Sequence, residues 1–296
     1  MKLRRLFAIP AAILLILVIL TLVIPDAPES AYYRDFRRPL VIAHQGGDGV
    51  WPGDTMFAFE QAVEIGADVL EMDAHITKDG RIVLMHDEKV DRTTDGTGLI
   101  EDLTLEELKQ FDAAYDWSND EGKTFPYRGQ GIQVPTLDEL FQKFPQMRYV
   151  IEIKLTENPI DKPLCDLIRK YDMQDNVMIA SFHDVAMQNF RQACPEVATS
   201  ASRGEVTRFV ILGKIFLSGL ITPQYESIQP PYDPAESKNI PIMTKRFIRE
   251  AHAKNLAVEP WTVNDPALMK QYIEWGVDGI MTGRPDLMIQ LLDNMK

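Results

Sequence analysis

Short apolar runs alternate with longer amphipathic stretches along most of the chain, and this rhythm limits the fold more than any other feature. Runs of strand length lie at Leu40 to Ala43, Val69 to Ala74, Tyr149 to Ile153, Val177 to Ala180, Leu256 to Trp261 and Gly279 to Thr282. Helix-length stretches are Asp54 to Ile65, Asp161 to Tyr171, Asp184 to Ala193, Pro241 to Asn255, Asp265 to Trp275 and Pro285 to Met295. Strand and helix in alternation imply an α/β fold on a parallel sheet. Roughly 250 residues of it suit a single TIM (β/α)8 barrel better than two domains. In such a barrel the chemistry gathers at the C-terminal ends of the strands.

Charged side chains stand near those ends. Side chains alternate faces along a strand, so Glu71 and Asp73 in Val69-Leu70-Glu71-Met72-Asp73 project to one side while Leu70 and Met72 go to the other. Two carboxylates so placed repel each other unless a cation joins them. The same period places Glu152 and Lys154 on one face of Tyr149-Val150-Ile151-Glu152-Ile153-Lys154. Three carboxylates and one ammonium suit a pocket that holds a divalent metal and a phosphate together. His44 and His86 each follow an apolar run and flank this acidic strand, supplying an acid/base pair at neutral pH. A single charge at a strand end is ordinarily a solvated rim residue, but these six residues together favour a site. His75 shares the face of Glu71 and Asp73, as a substrate contact or a structural group. Trp261 closes a strand, where it packs substrate or fills the barrel. His183 is a weaker pocket candidate, and His252 reads as surface.

Residues 91–135 break the rhythm. A stretch this long is usually functional or disordered; its aromatics and the Thr104-Leu105-Glu106-Glu107 helix start favour an ordered cap insertion over the barrel mouth.

At the N-terminus, Lys2, Arg4 and Arg5 precede an unbroken apolar run from Phe7 to Ile24. About 18 residues suffice to cross a bilayer, and no convincing small-x-small cleavage site follows. The expectation is therefore residues 1–30 as an uncleaved membrane anchor with its flank, and residues 31–296 as the barrel. The basic flank places that end in the cytoplasm and the catalytic domain outside it. With a net charge of -13 the chain is a poor partner for nucleic acid. Cys165 and Cys194 fall in consecutive helices, where a disulfide and two separate core thiols are both open, and their spacing fits no zinc motif. The tract Phe209 to Leu217 is apolar but contains Lys214 and is too short to span a membrane. It reads as a helix packed on the barrel, or as a face that meets lipid.

Taken together, several motifs resemble the glycerophosphodiester phosphodiesterase family. They include His44-Gln45-Gly46, Glu71-x-Asp73, His86-Asp87, Arg92-Thr93-Thr94-x-Gly96, Glu152-Ile153-Lys154 and Gly276-Val277-Asp278-Gly279. The resemblance runs in order from about Pro39 to the C-terminus. It implies hydrolysis of glycerophosphodiesters to glycerol 3-phosphate and an alcohol. Glu71, Asp73 and Glu152 would be metal ligands, His44 and His86 the acid/base pair, and Lys154 a phosphate contact, with Ca²⁺ slightly preferred to Mg²⁺. The family mechanism has a glycerol hydroxyl attack phosphorus and water then open the cyclic phosphate.

Three positions depart from the family pattern. Gln45 stands where arginine is usual, so that a substrate contact there keeps hydrogen bonding but loses a charge. Gly53 stands where a carboxylate is usual, with Asp54 or Asp48 as replacements, and Thr282-Gly283 stands where aspartate is frequent. Two other functions remain open: a lysophospholipase D or related phospholipase at the membrane surface, and an inactive tethered binding protein. Retention of both histidines and all three carboxylates argues against the latter.

Overall fold

The computed structural model describes residues 23–35, 39–154, 158–237 and 239–295. Its strands are β1 (Leu40–Ala43), β2 (Val69–Ile76), β3 (Ile82–Leu84), β4 (Arg148–Ile153), β5 (Val177–Ala180), β6 (Ala198–Thr199), β7 (Ser227–Ile228), β8 (Ala257–Val258) and β9 (Gly279–Thr282). Six of them pair in parallel in the order β6-β5-β4-β2-β1-β9, and β7 pairs in parallel with β8. Main-chain hydrogen bonds link the two sheets at both margins: Ala201 N–H to the Ser227 carbonyl at 2.9 Å, and Asp278 N–H to the Val258 carbonyl at 3.0 Å. The parallel sheet thus curls into a TIM-barrel-like fold.

The helices are α1 (Met56–Ile65), α2 (Leu105–Leu108), α3 (Leu137–Lys143), α4 (Asp161–Lys170), α5 (Asp184–Ala193), α6 (Arg203–Lys214), α7 (Lys245–His252), α8 (Pro266–Trp275) and α9 (Pro285–Asn294). Period-two alternation sorts the strands as expected. Leu70, Met72 and Ala74 of β2 join the large apolar cluster that also takes in helix residues Phe59, Leu164, Phe190 and Met288. Val69, on the other face, packs with Leu40, Ile42, Val150, Met178 and Met281 as an apolar layer inside the barrel. Glu71 and Asp73 follow Val69 at two-residue steps, so the polar site stands directly on that layer.

The apolar run before His86 differs from the one before His44. Ile82 to Leu84 is not a barrel strand but runs back antiparallel along β2, with Ala74 opposite Leu84 and Ile76 opposite Ile82. The turn between them holds Gly80 at φ 77°. His86 therefore reaches the site on a returning hairpin rather than at the C-terminal end of a barrel strand. Three strands are only two residues long: β8 lies within the expected run Leu256 to Trp261, whereas β6 and β7 give no periodic signal. The helix expected over Pro241 to Asn255 starts later, at Lys245, because Thr244 caps it by accepting a hydrogen bond from Phe247 N–H at 3.1 Å.

Past β3 the chain forms a small apolar centre of its own, with Val90, Ile100, Leu108 and Val134 buried. Thr104 and Glu107 make the expected reciprocal cap on α2. This segment is tied to the loop after β1 by the Trp117 indole N–H, which donates to the Asp48 carbonyl at 3.2 Å. Cys165 and Cys194 are disulfide-bonded. The expected anchor falls almost wholly on residues 1–22, outside the described residues. Among the described residues no helix is long and apolar enough to cross a membrane.

Candidate active site

Strand register assembles the acidic centre. Asp73 of β2 lies opposite Glu152 of β4, and Glu71 lies opposite Val150. Neighbours in parallel strands point the same way, so the three carboxylates converge inside the barrel, and ligand oxygens from Glu71, Asp73 and Glu152 lie within 4.8 Å of one another. The Lys154 ammonium sits between two of them, donating to Glu152 Oε1 at 2.9 Å and standing 2.9 Å from Asp73 Oδ1.

The two histidines are aimed by carboxylates. His44 Nδ1 meets Asp48 Oδ1 at 3.1 Å, which leaves Nε2 facing Glu71 Oε2 at 4.0 Å. Burial pushes the His44 pKa down, but the Glu71 charge and the bond to Asp48 outweigh it and raise it to about 9. His86 Nδ1 meets Asp87 Oδ1 at 2.7 Å, and Arg92 grips the same carboxylate through Nε at 2.6 Å and Nη2 at 3.0 Å. An ionised carboxylate only accepts, so Nδ1 carries the proton and Nε2 of a neutral His86 is left as the acceptor. The Asp87–Arg92 clamp was legible only as a His-Asp pair with an arginine five residues on. His75 is buried, its Nε2 lying 3.4 Å from the His86 carbonyl, and burial lowers its pKa, so it supports the histidine loop as a neutral ring. His252 pairs with Asp278 at 2.8 Å, away from this site.

Gln45 lies beneath the cavity rather than on its wall. Its main-chain N–H donates to Glu71 Oε2 at 2.8 Å and its side-chain Nε2 to Asp73 Oδ2 at 2.9 Å. The departures from the family pattern interlock around it. A Cβ at Gly53 would stand 2.7 Å from Gln45 Oε1, and one at Gly283 would stand 2.3 Å from Asp48 Oδ1. Gly53 thus makes room for Gln45, and Gly283 makes room for the carboxylate that aims His44.

The residues present suit a hard cation. Burial and mutual repulsion raise the pKa of Glu152 and lift that of Glu71 to about 8. Asp54 is buried beside them, held well above the carboxylate range by burial and by the charges of Asp73 and Glu71. Its Oδ1 accepts from Asp73 N–H at 3.3 Å, while Oδ2 has no hydrogen-bond partner among the described residues. Crowded carboxylates, one orphaned oxygen and an all-oxygen donor set match Ca²⁺ or Mg²⁺ and not a thiophilic metal.

His44, Glu71, Asp73, His86, Glu152, Lys154 and Trp261 all line a single cavity of about 540 Å³. Trp261 packs edge-on against Phe182, with ring centroids 5.4 Å apart, and its indole N–H donates to the Gln229 carbonyl at 2.8 Å.

The sequence matches the glycerophosphoryl diester phosphodiesterase family over residues 44–287. The chain belongs to that family. It is 30% identical over 260 residues to a glycerophosphodiester phosphodiesterase of Caldanaerobacter subterraneus subsp. tengcongensis, covering 86% of this chain and 98% of the relative. A human protein named lysophospholipase D is 28% identical over 274 residues, with 86% of each chain covered. Among solved structures, an Oleispira antarctica phosphodiesterase in complex with the product sn-glycerol-3-phosphate superposes with a TM-score of 0.70 at 25% identity, covering 90% of this chain and all of that one.

Proposed function

We infer that this glycerophosphoryl diester phosphodiesterase family member hydrolyses glycerophosphodiesters to glycerol 3-phosphate and an alcohol. The observation that carries this is the meeting, in one cavity, of two carboxylate-aimed histidines with the triad Glu71, Asp73 and Glu152. Relatives named glycerophosphodiester phosphodiesterase and the product-bound Oleispira structure agree with it.

In this reading Glu71, Asp73 and Glu152 hold the cation, with Ca²⁺ preferred, and Asp54 adds negative charge from below. The bound ion supplies charge stabilisation at the phosphoryl oxygens. Lys154 binds a phosphate oxygen, and Gln45 fixes the positions of Glu71 and Asp73. His44 and His86 move the two protons that the reaction needs, one from the attacking hydroxyl and one to the leaving oxygen. Trp261 packs on the substrate at the cavity wall. Residues 31–296 form the catalytic unit with 91–135 as its cap, and the basic flank and apolar run at the N-terminus anchor it on the outer face of the cell membrane. The Cys165–Cys194 bond supports that placement, since disulfides persist in oxidising compartments.

The test is release of glycerol 3-phosphate from glycerophosphocholine by the full chain, with and without a chelator. Turnover abolished by the chelator and restored by Ca²⁺ is expected. Absence of glycerol 3-phosphate at any metal concentration would refute the activity.

A further inference from the structure

The barrel interior holds a buried carboxylate that neither the proton transfers nor the cation site uses. In the β7–β8 pair Ile228 lies opposite Val258, and both turn outward into the large apolar cluster. The residues that follow them, Gln229 and Glu259, therefore point inside the barrel. Glu259 is fully buried. A carboxylate in such a place needs donors, and each of its oxygens has one: the Tyr33 hydroxyl donates to Oε1 at 2.8 Å, and the Gln229 amide donates to Oε2 at 3.0 Å. Burial and the Glu259 charge push the Tyr33 pKa well above its ordinary value, which keeps that hydroxyl a donor.

Tyr33 belongs to a segment that precedes the residues matched by the family, 44–287. That segment is fastened at the end of the barrel opposite the cavity, where the chain enters β8. The buried Lys254 ammonium reaches the Asp26 carboxylate at 2.8 Å and the Pro25 carbonyl at 3.0 Å, and Ala27 N–H donates to the Lys254 carbonyl at 3.0 Å. Tyr32 packs edge-on against Tyr33, with ring centroids 5.1 Å apart, and joins the inner apolar layer.

Gln229 carries this chain of bonds through to the cavity. It lines the cavity, and its carbonyl accepts from the Trp261 indole. An ionised carboxylate only accepts, so Glu259 fixes the amide nitrogen toward itself. The other amide atom, Oε1, has no hydrogen-bond partner among the described residues and is not sealed in the core, which leaves it to the cavity. Around the barrel β7 stands four strands from β2 in either direction, so this oxygen faces Glu71 and Asp73 across the cavity. A phosphodiester anion has no hydrogen to give. What such an acceptor takes is a hydroxyl.

We propose that Gln229 Oε1 accepts a hydrogen bond from the terminal hydroxyl of the substrate's glycerol, and that Glu259 and Tyr33 are positioning residues that hold it there. The inference rests on the phosphodiesterase reading given above. Glycerol is the part that all glycerophosphodiesters share, so a contact fixed by a buried relay suits it better than the variable alcohol. The hydroxyl beside the phosphoester is the one placed to attack phosphorus, which leaves the terminal one for recognition.

The experiment assays the full chain on glycerophosphocholine and on propane-1,2-diol phosphocholine, which keeps the hydroxyl beside the phosphoester and lacks the terminal one. Choline itself offers no donor. The parent is expected to favour glycerophosphocholine by about tenfold in kcat/KM, the loss that follows when one partner of a buried hydrogen bond is removed. Gln229→Leu should bring that ratio to about one. Tyr33→Phe should lower it by about threefold, a change that a merely structural role in closing the barrel would not produce. Equal efficiency of the parent on both substrates, a result that needs no variant to fold, would overturn the contact, as would an undiminished ratio in Gln229→Leu. An undiminished ratio in Tyr33→Phe would overturn the relay from the N-terminal segment. Calorimetric binding of glycerol 3-phosphate and of 1,2-propanediol 1-phosphate in the presence of Ca²⁺ reads the same contact without turnover. Tighter binding of glycerol 3-phosphate by a parent that hydrolyses neither diester would reject the phosphodiesterase reading and keep the contact, whereas equal binding of the two phosphates would overturn the contact itself.

Discussion

Asp73 and Glu152 are direct partners across the β2–β4 ladder, and the Lys154 ammonium lies 2.9 Å from an oxygen of each. One lysine cannot neutralise these two carboxylates together with Glu71 and Asp54. Burial and mutual repulsion raise the pKa of Glu71, Asp54 and Glu152, so these carboxyl groups ionise together only when a further positive charge joins them, which is the ground for proposing a cation there.

Both histidines line the cavity, and the loss of either imidazole should be felt in the chemical step. His44→Ala and His86→Ala should each lower turnover by roughly 10²- to 10⁴-fold, with circular dichroism and Tm close to those of the parent. Parent-like turnover in either variant would remove that residue from the proton transfers.

Asp87 meets His86 Nδ1 at 2.7 Å and is not among the residues that line the cavity, so its expected role is to position His86. Asp87→Asn should cut turnover at least tenfold, short of the roughly 10⁴-fold seen when an orienting aspartate is replaced, and should shift the pH–rate profile, which a purely structural role would leave in place. Stability carries a second signature. Arg92 and, secondarily, His86 hold Asp87 at about 2 despite its partial burial. A depressed carboxylate stabilises the fold fully above its unfolded value of about 3.9. The stability difference between parent and Asp87→Asn should be constant at neutral pH and shrink as pH falls from about 4 through about 2. Denaturant titrations of both proteins across that window measure it, and a difference that grows on acidification would contradict the clamp.

Gln45→Arg tests whether the departures from the family pattern form a unit. A phosphate contact from the added guanidinium would be worth about 1.5–3 kcal/mol, at least a tenfold gain in efficiency. Gln45 instead points at Asp73, with Asp48 and Gly53 packed around it, so the guanidinium is expected to pair with carboxylates and leave kcat/KM level or lower. A clear gain on glycerophosphocholine would show that the pocket simply lacks an arginine.

The parts legible in the sequence are those governed by short-range periodicity. Glu71 with Asp73, and Glu152 with Lys154, share faces because side chains in a strand repeat every two residues, and the apolar residues between them went to the helix layer as expected. His86 was legible as a site residue but not in its route, because an antiparallel return of three residues looks in sequence like another parallel strand. β6 and β7 are too short to carry a pattern. The interlock of Gln45 with Gly53, and of Asp48 with Gly283, depends on contacts that bring distant loops together, and only the folded chain shows it. The apolar tract at Phe209 was visible, whereas its division between a core stripe and a cavity stripe depends on how α6 is rotated against the barrel.

If Glu71, Asp73 and Glu152 hold a divalent cation, hydrolysis depends on its occupancy. The most direct measurement is calorimetric titration of metal-stripped full chain with Ca²⁺ and with Mg²⁺, alongside glycerophosphocholine turnover at each occupancy. The account predicts one cation per chain, tighter for Ca²⁺, turnover rising in step with occupancy, and loss of both in Glu152→Gln. Full turnover by protein that elemental analysis shows to be metal-free would contradict it.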